Sequence, residues 1–312
     1  MEAVVGVPAQ RPVGAVTVTR DSGSVLPGLL ESLPAALAGL DWRLVVVDNG
    51  SSDGSAAVAR RTLPGARVVE VGANPGFATA LNLGVAELPA DCDLLVLNPD
   101  VRLAAGAGAR LQARLRARIG GAGDGARPIG IVAPRLVDAE GALVPSLRFE
   151  PTARRALAEA ALGVRGAGAR GWGETVLDYS AYRRPTVSDW VSGAVMMISR
   201  ECLLACGPWD ESFFLYSEDA EFALRARDLG FATALVEGTQ AIHLGGHSRT
   251  DPALWSLLVR NKVVLYRRRH GRLRAIAFHT ASLLRELRFA LSGNRPSRAA
   301  ARALLGTRGR SR

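Results

Sequence analysis

Four short apolar runs, separated by segments of helical pattern, constrain this chain more than any other feature. Gly14–Thr19 (GAVTVT), Arg43–Val47 (RLVVV), Arg67–Val71 (RVVEV) and Asp93–Leu97 (DLLVL) are short and rich in Val and Leu, which reads as buried strands. Helical periodicity fills the intervals at about Val25–Ala38, Ser55–Thr62 and Gly76–Leu88. Alternation at this pitch predicts an α/β fold with a Rossmann-like, mostly parallel central sheet flanked by helices. Ligands of such sheets bind at the carboxyl ends of the strands.

A further strand is expected at Ile129–Ala133, after a flexible loop at Gly120–Arg127. Gly163–Gly173 holds too much glycine for a regular element. Order returns at Trp190–Ser199, followed by a helix from about Ser217 to Leu229 and a strand at Phe231–Val236. From Pro252 onward the pattern is helical and increasingly basic. The chain thus divides into a main domain over 1–251 and a basic helical C-terminal extension over 252–312.

Charge marks the same division. From Arg260 to Arg312, 15 basic residues stand against one acidic residue, Glu286, giving that segment +14 and leaving −4 for the rest. Such asymmetry directs the tail toward an anionic partner. An anionic membrane surface is the expected one, because Leu273–Leu291 places apolar residues beside Arg274, Arg285 and Arg288. A basic tail with no lipid role is the alternative. The acidic body and the lack of a recognition motif argue against nucleic acid. Three cysteines (Cys92, Cys202, Cys206) form no disulfide framework and fit a reducing cytoplasm. No run approaches 18 apolar residues, so a peripheral position on the inner face of the cell membrane is expected in place of a spanning one.

Polar chemistry gathers where the apolar runs end. Asp48-Asn49-Gly50-Ser51-Ser52-Asp53 follows the second strand, where a carboxylate can accept hydrogen bonds from a base or ribose and a Gly/Ser turn admits a ligand to backbone amides. The same segment also reads as a plain turn and helix cap. Asn74-Pro75-Gly76-Phe77 opens the third helix, Pro suiting a helix start and Gly a close backbone approach. After the fourth strand, Asn98-Pro99-Asp100 presents a carboxylate at the sheet edge, able to hold Mg²⁺ or Mn²⁺ against a diphosphate. Glu218-Asp219 begins a helix, where the macrodipole favours carboxylates, and Asp219 can take a proton from an attacking hydroxyl. Glu221 and Arg225, four apart, read as a brace of that helix. His243 is expected as a single ligand near the diphosphate, and His247 as polar surface, because Gly245-Gly246 argues against a helical zinc pair.

Together VVVDNGSSDGS (45–55), NPGFATALN (74–82), LNPDV (97–101), SGAVMMISR (192–200), GPWDESFFLYSEDAEFALRAR (207–227) and HLGGHS (243–248) resemble family-2 glycosyltransferases, in particular their bacterial rhamnosyltransferase-like branch. The resemblance spans roughly residues 14–270 and implies the GT-A fold, with a nucleotide-binding half at about 14–134 and an acceptor half at about 135–251. It implies an inverting, metal-dependent hexosyltransferase of cell-envelope polysaccharide synthesis. The donor would be a nucleoside diphosphate-sugar, dTDP-rhamnose first, with UDP- and GDP-sugars as alternatives. The acceptor would be a hydroxyl of a glycan or of a polyprenyl-diphosphate-linked (lipid-linked) sugar. Asp48 would contact the base, with Asn49, Ser51, Asp53, Asn74, Gly76, Phe77, Asn82 and Asn98 around the donor. Asp100 and His243 would hold the metal, Asp219 would be the base with Glu218 beside it, and Gly193, Trp209 and Asp210 would lie on the acceptor side. The metal motif carries one carboxylate where the family commonly has two. A nucleotidyltransferase or a sugar-nucleotide-binding protein on a similar fold is the alternative, although the loop after the first strand, Arg20-Asp21-Ser22-Gly23-Ser24, lacks a nucleotidyltransferase's lysine.

Overall fold

The computed structural model describes residues 11–119, 126–245 and 250–306. The first half runs β1 (Val13–Thr19), α1 (Leu26–Ala36), β2 (Trp42–Asp48), α2 (Ser55–Thr62), β3 (Arg67–Glu70), α3 (Phe77–Ala86) and β4 (Asp93–Leu97). It continues through β5 (Val101–Leu103), α4 (Ala107–Leu115), β6 (Arg118–Ile119) and β7 (Arg127–Val137). The second half adds β8 (Leu147–Arg148), α5 (Ala153–Ala169), a 3₁₀ turn at Tyr179–Arg183, β9 (Thr186–Ser188), β10 (Trp190–Val191) and β11 (Val195–Ile198). Then come α6 (Arg200–Cys206), α7 (Glu218–Asp228) and β12 (Ala232–His243), and the extension is α8 (Pro252–Leu291) with α9 (Arg295–Gly306).

The sheet runs β3-β2-β1-β4-β11-β7-β12-β5. Its first four strands are parallel, as the alternation requires, and their side chains are buried on both faces through β1 and β4. β11 enters antiparallel between β4 and β7, pairing Val195 with Leu97. β12 runs parallel to β7 and carries β5 antiparallel on its other side, so His243 pairs with Val101. Two core layers fill the faces, one centred on Leu29, Leu33 and Val46, the other on Leu81, Val96 and Phe222.

Three expectations are corrected. Trp190–Ser199 is two strands interrupted at Ser192-Gly193-Ala194, which leaves the Gly193 amide and the Ala194 carbonyl to bond outside the strand ladder. The strand expected to end at Val236 continues to His243 across an irregularity between Val236 and Gln240. The glycine-rich stretch from Gly163 is helical as far as Ala169: α5 breaks at Gly163 (φ 73°) and resumes, and Gly168 packs against Leu177, where a methyl group would lie 2.6 Å from its Cδ1. Cys202 and Cys206 are buried in α6 as small core residues.

The extension is folded, not loose. α8 breaks at Gly271 (φ 80°, ψ 171°), and its two arms return along each other, since Tyr266 stacks on Phe278 (ring centroids 4.1 Å apart) and Trp255 Nε1 donates to Glu286 Oε2 at 2.9 Å. The first arm packs Leu265 against Phe213, Ala220 and Leu224 of the main domain. Lys262 pairs with Glu174, Arg268 with Asp210 (2.7 Å), and Arg269 with Glu150 and Asp228 (3.0 and 2.9 Å). α9 closes over the hairpin through Ala300 and Leu304 against Val259.

Gly84 of α3 fixes how closely that helix sits on β1 and β2, since a methyl group there would lie 2.6 Å from Val16 Cγ1 and 2.7 Å from Val47 Cγ2. Alanine gains about 1 kcal/mol of helix propensity over glycine, whereas overpacking a core costs about 1–3 kcal/mol. Gly84→Ala should therefore lower the unfolding free energy, measured by urea titration, by about 1 kcal/mol net.

Candidate active site

The carboxyl ends of β1, β2 and β4 lie side by side, Thr19 opposite Asp48 and Thr17 opposite Leu97. Asp48 is buried at the last position of β2, and its Oδ1 accepts from the Ser51 hydroxyl. That hydroxyl oxygen accepts from the backbone N–H of Asp21, which tethers the β1 loop to the β2 turn. Asn49 is buried beside it, donating from Nδ2 to Asn74 Oδ1 at 2.9 Å, and its own Oδ1 has no partner among the described residues. A buried acceptor without a donor is unusual, and a ligand N–H or O–H would satisfy it. Asp53 is occupied otherwise: its carboxylate accepts from the Gly23 amide (2.7 Å) and from the amide and hydroxyl of Ser55 (3.0 and 2.5 Å). These bonds hold the Asp53 carboxyl below the usual carboxylate range, the Ser55 hydroxyl contributing most. It braces the loops and turns none of its oxygens solely outward.

The opposite wall is stitched to this one by backbone contacts. Gly76 (φ 105°) meets Phe214 so closely that a methyl group would lie 2.7 Å from the Phe214 carbonyl oxygen, and the Phe77 amide donates to that oxygen at 2.7 Å. Asn82, expected at the donor, instead clasps Trp209: its Oδ1 accepts from the Trp209 amide (2.9 Å), and its Nδ2 donates to the Trp209 carbonyl (3.0 Å) and Glu211 (2.9 Å). Trp209, expected on the acceptor side, is 2% exposed and stacked on Phe222 with centroids 4.2 Å apart. Its ring belongs to the core because an indole that size gains more from burial than any neighbouring side chain. Asp210 turns to the extension, accepting from Ser212 and pairing with Arg268.

At the third edge the Asn98 amide donates to the Ala194 carbonyl at 2.9 Å, so Asn98-Pro99-Asp100 sits directly beside the Ser192-Gly193-Ala194 gap. Asp100 Oδ2 accepts from the Gly245 amide at 2.9 Å, and its Oδ1 lies 3.4 Å from His243 Nε2. Burial works to raise the Asp100 carboxyl, but the hydrogen bond and charge of His243 and the Gly245 amide outweigh it and hold it below the usual range. A hard oxygen donor facing an imidazole nitrogen fits a divalent cation whose remaining positions are filled by phosphate oxygens and water. Among the described residues no third carboxylate, imidazole or thiol joins them. His247 lies outside the described residues.

Across the gap stand the paired acids. Tyr216 and Ser217 are both left-handed (φ 66° and 77°), an uncommon conformation for residues with a Cβ and a place where strain is held. The turn delivers Glu218 and Asp219 to the first turn of α7. Asp219 Oδ2 accepts from the Gly193 amide at 2.8 Å, and Oδ1 from the Ala220 amide at 2.9 Å. A methyl group at position 193 would lie 3.0 Å from Asp219 Oδ2, so glycine is what permits the contact. Burial raises the Asp219 carboxyl despite these two amides. Glu218, 5% exposed with Oε2 unpartnered among the described residues, is pushed well above the carboxylate range by burial and then by the Asp219 charge. Arg225 pairs with Glu221 at 2.9 Å and bonds the Cys206 and Pro208 carbonyls, the expected brace.

Sequence reasoning missed Asn261. From the first arm of α8 its Nδ2 donates to the carbonyls of Leu215 (2.8 Å) and Tyr216 (3.2 Å), holding the strained turn from outside. An amide inside the apolar-rich LWSLLVRNKVVLY helix was the available signal.

The Glycosyl transferase family 2 profile matches residues 15–125. The chain is 30% identical over 253 residues to an N-acetylglucosaminyl-diphospho-decaprenol L-rhamnosyltransferase of Mycobacterium tuberculosis, covering 76% of this chain and 78% of that protein. The chain belongs to Glycosyl transferase family 2. Among solved structures, the fold is similar to the mannosyltransferase PcManGT of Pyrobaculum calidifontis in complex with GDP-Man and Mn²⁺. That match has a TM-score of 0.57 and 16% identity over 97% of this chain and 77% of that one. It is also similar to GalNAc-T7 with UDP, GalNAc and Mn²⁺, with a TM-score of 0.57 and 15% identity over 83% of this chain and 48% of that one. The protein is a glycosyltransferase of GT-A fold: a mostly parallel central sheet flanked by helices, with a helical C-terminal extension.

Two outcomes follow from the acid pair. Gly193→Ala should lower kcat with little change in donor KM, because it displaces Asp219 and leaves the Asp48 edge intact. Glu218→Gln should raise Tm relative to the parent. A carboxyl raised on folding is most favourable below its unfolded value and loses stability as pH climbs through the folded one. The Tm advantage of the Gln variant should therefore widen from pH 4 to pH 8 in thermal melts.

Proposed function

We propose that this enzyme transfers a sugar, L-rhamnose first among candidates, from a nucleoside diphosphate-sugar to a hydroxyl of a polyprenyl-diphosphate-linked acceptor in cell-envelope polysaccharide synthesis, with inversion at the anomeric carbon. The observation that carries the reading is Asp219: a half-buried carboxylate fixed on both oxygens by backbone amides, beside the edge that bears Asp100. The relatedness to a mycobacterial rhamnosyltransferase acting on a decaprenol-linked sugar supports the donor and acceptor classes. dTDP-rhamnose is the first donor to test, and UDP- and GDP-sugars the next.

The nucleotide lies over the 14–134 half, its base against Asp48 with Asn49 and Ser51 at hand, and its phosphates toward Asn98 and Asp100. Asp100 and His243 would hold Mg²⁺ or Mn²⁺, which would supply positive charge against the leaving diphosphate. The acceptor enters over the 135–251 half. Asp219 takes the proton of the acceptor hydroxyl, whose oxygen bonds to the anomeric carbon from the face opposite the phosphate. The bond from that carbon to the phosphate oxygen breaks, and the nucleoside diphosphate leaves. The raised basicity of Asp219 suits this role, since a base works best when its pKa approaches the operating pH. Glu218 behind it, held neutral by burial, keeps a second negative charge away from the departing diphosphate. Fixed positioning of both substrates contributes the larger part of the rate. The enzyme works at the inner face of the cell membrane, held peripherally by the basic extension over 252–312. No helix of the described residues is long and apolar enough to cross a membrane.

Asp219→Asn should reduce kcat by about 10²–10⁴-fold, the usual contribution of a positioned general base, while thermal stabilisation by the donor persists. Normal turnover in that variant would remove Asp219 from the reaction. Asp100→Asn and His243→Ala should each abolish the extra thermal stabilisation that Mg²⁺ or Mn²⁺ adds to a nucleoside diphosphate. The parent acid limb of kcat against pH should fall above the ordinary aspartate range, in the direction set by burial of Asp219.

A further inference from the structure

The second arm of α8 is apolar on both of its faces. One face packs inward through Ala275, Phe278 and Ala281, all buried. The opposite face exposes Leu273 (85%), Ile276 (63%), Leu284 (52%), Leu287 (38%) and Leu291 (88%). At 3.6 residues per turn these five side chains fall within about 80° of arc and extend along about 27 Å of helix. A helix apolar all round is normally covered all round, and nothing in the described chain covers this stripe. Arg272 and Arg274 flank its start on either side, and Arg295 and Arg302 stand on α9. All four are exposed and have no partner among the described residues. The only carboxylate between Gly271 and Gly306, Glu286, is buried and bonded to Trp255 and Arg285. Three other arginines of the extension are engaged: Arg268 and Arg269 pair with the main domain, and Arg288 donates to the Ala160 carbonyl of α5 at 2.9 Å.

We propose that this stripe inserts into the headgroup region of an anionic phospholipid bilayer, with Leu273, Ile276, Leu284, Leu287 and Leu291 in the acyl boundary and the unpaired arginines on lipid phosphates. The inference deepens the peripheral-membrane reading above and assigns it a face. The Arg267-Arg268-Arg269 cluster, the densest basic run, is not that face, because two of its three members are bound to Asp210, Glu150 and Asp228. A second copy of the chain is the less suitable occupant. Stable protein interfaces engage about 20–30 residues a side, far more than this stripe offers, and pairing two copies would bring unpaired arginines of like charge together. An anionic leaflet accepts both the leucines and the arginines.

The test uses the full chain and two vesicle preparations, phosphatidylcholine alone and phosphatidylcholine with phosphatidylglycerol, without donor or acceptor present. The parent should co-sediment with the anionic vesicles and much less with the neutral ones. Leu273→Ser/Leu284→Ser/Leu291→Ser should lower partitioning at least about tenfold with an unchanged Tm, since all three positions are exposed. Arg272→Glu/Arg274→Glu should also lower it, whereas Arg268→Ala should not. Parent-like binding by the triple serine variant, or a parent that ignores anionic vesicles, overturns the proposal. So does a parent dimer in analytical ultracentrifugation that the serine variant dissolves. Turnover on a short, water-soluble acceptor is read separately and should be equal in the parent and the serine variant. A failure of the transfer chemistry is thereby distinguished from a failure of docking.

Discussion

The antiparallel pairing of β11 with β4 in the middle of the sheet is the constraint on which the site depends. A purely parallel sheet would stop at β4 with a loop emerging from its carboxyl end. Here a strand of opposite direction enters at that edge, so the gap before it, Ser192-Gly193-Ala194, starts where β4 finishes. Ala194, at one end of the gap, accepts the Asn98 amide, and Gly193, in its middle, donates to Asp219. Backbone hydrogen bonds in a buried sheet tolerate little displacement. Asp100 and Asp219 are therefore held in one frame although 119 positions separate them in the chain.

Electrostatics divides the two carboxylate positions in opposite senses. Asp100 has a facing imidazole and an amide, which favour its ionised form. Asp219 and Glu218 share a helix start where the amides of Gly193 and Ala220 and the charge of Arg148 oppose burial at Asp219, and burial prevails. A carboxyl held low at one edge and one held high at the other suit the proposed roles of cation holder and proton acceptor.

The first half of the fold was legible because its strands are buried on both faces, which leaves continuous runs such as RLVVV and DLLVL in the sequence. β5 and the far end of β12 were not legible: three residues, Val101–Leu103, and a strand crossing Glu237-Gly238 carry no clear period. Near the site, a contact whose partners are close in sequence was readable, as with Glu221 and Arg225. The clasp of Asn82 on Trp209 was not legible because the two lie 127 residues apart, and only the packed structure shows that each faces the other. Asn261 escaped for the same reason.

The turn at Tyr216-Ser217 bears on the order in which the molecule becomes competent. Every carboxylate of the site is present once β12 has been synthesised, yet the two carbonyls that must be held against a left-handed backbone wait for an amide from α8. The edge that bears Glu218 and Asp219 is thus completed only once Asn261 has joined it. The arm that finishes it leads through Gly271 into the arm whose leucines face outward. One continuous element thus both holds the turn before Asp219 and carries the outward stripe.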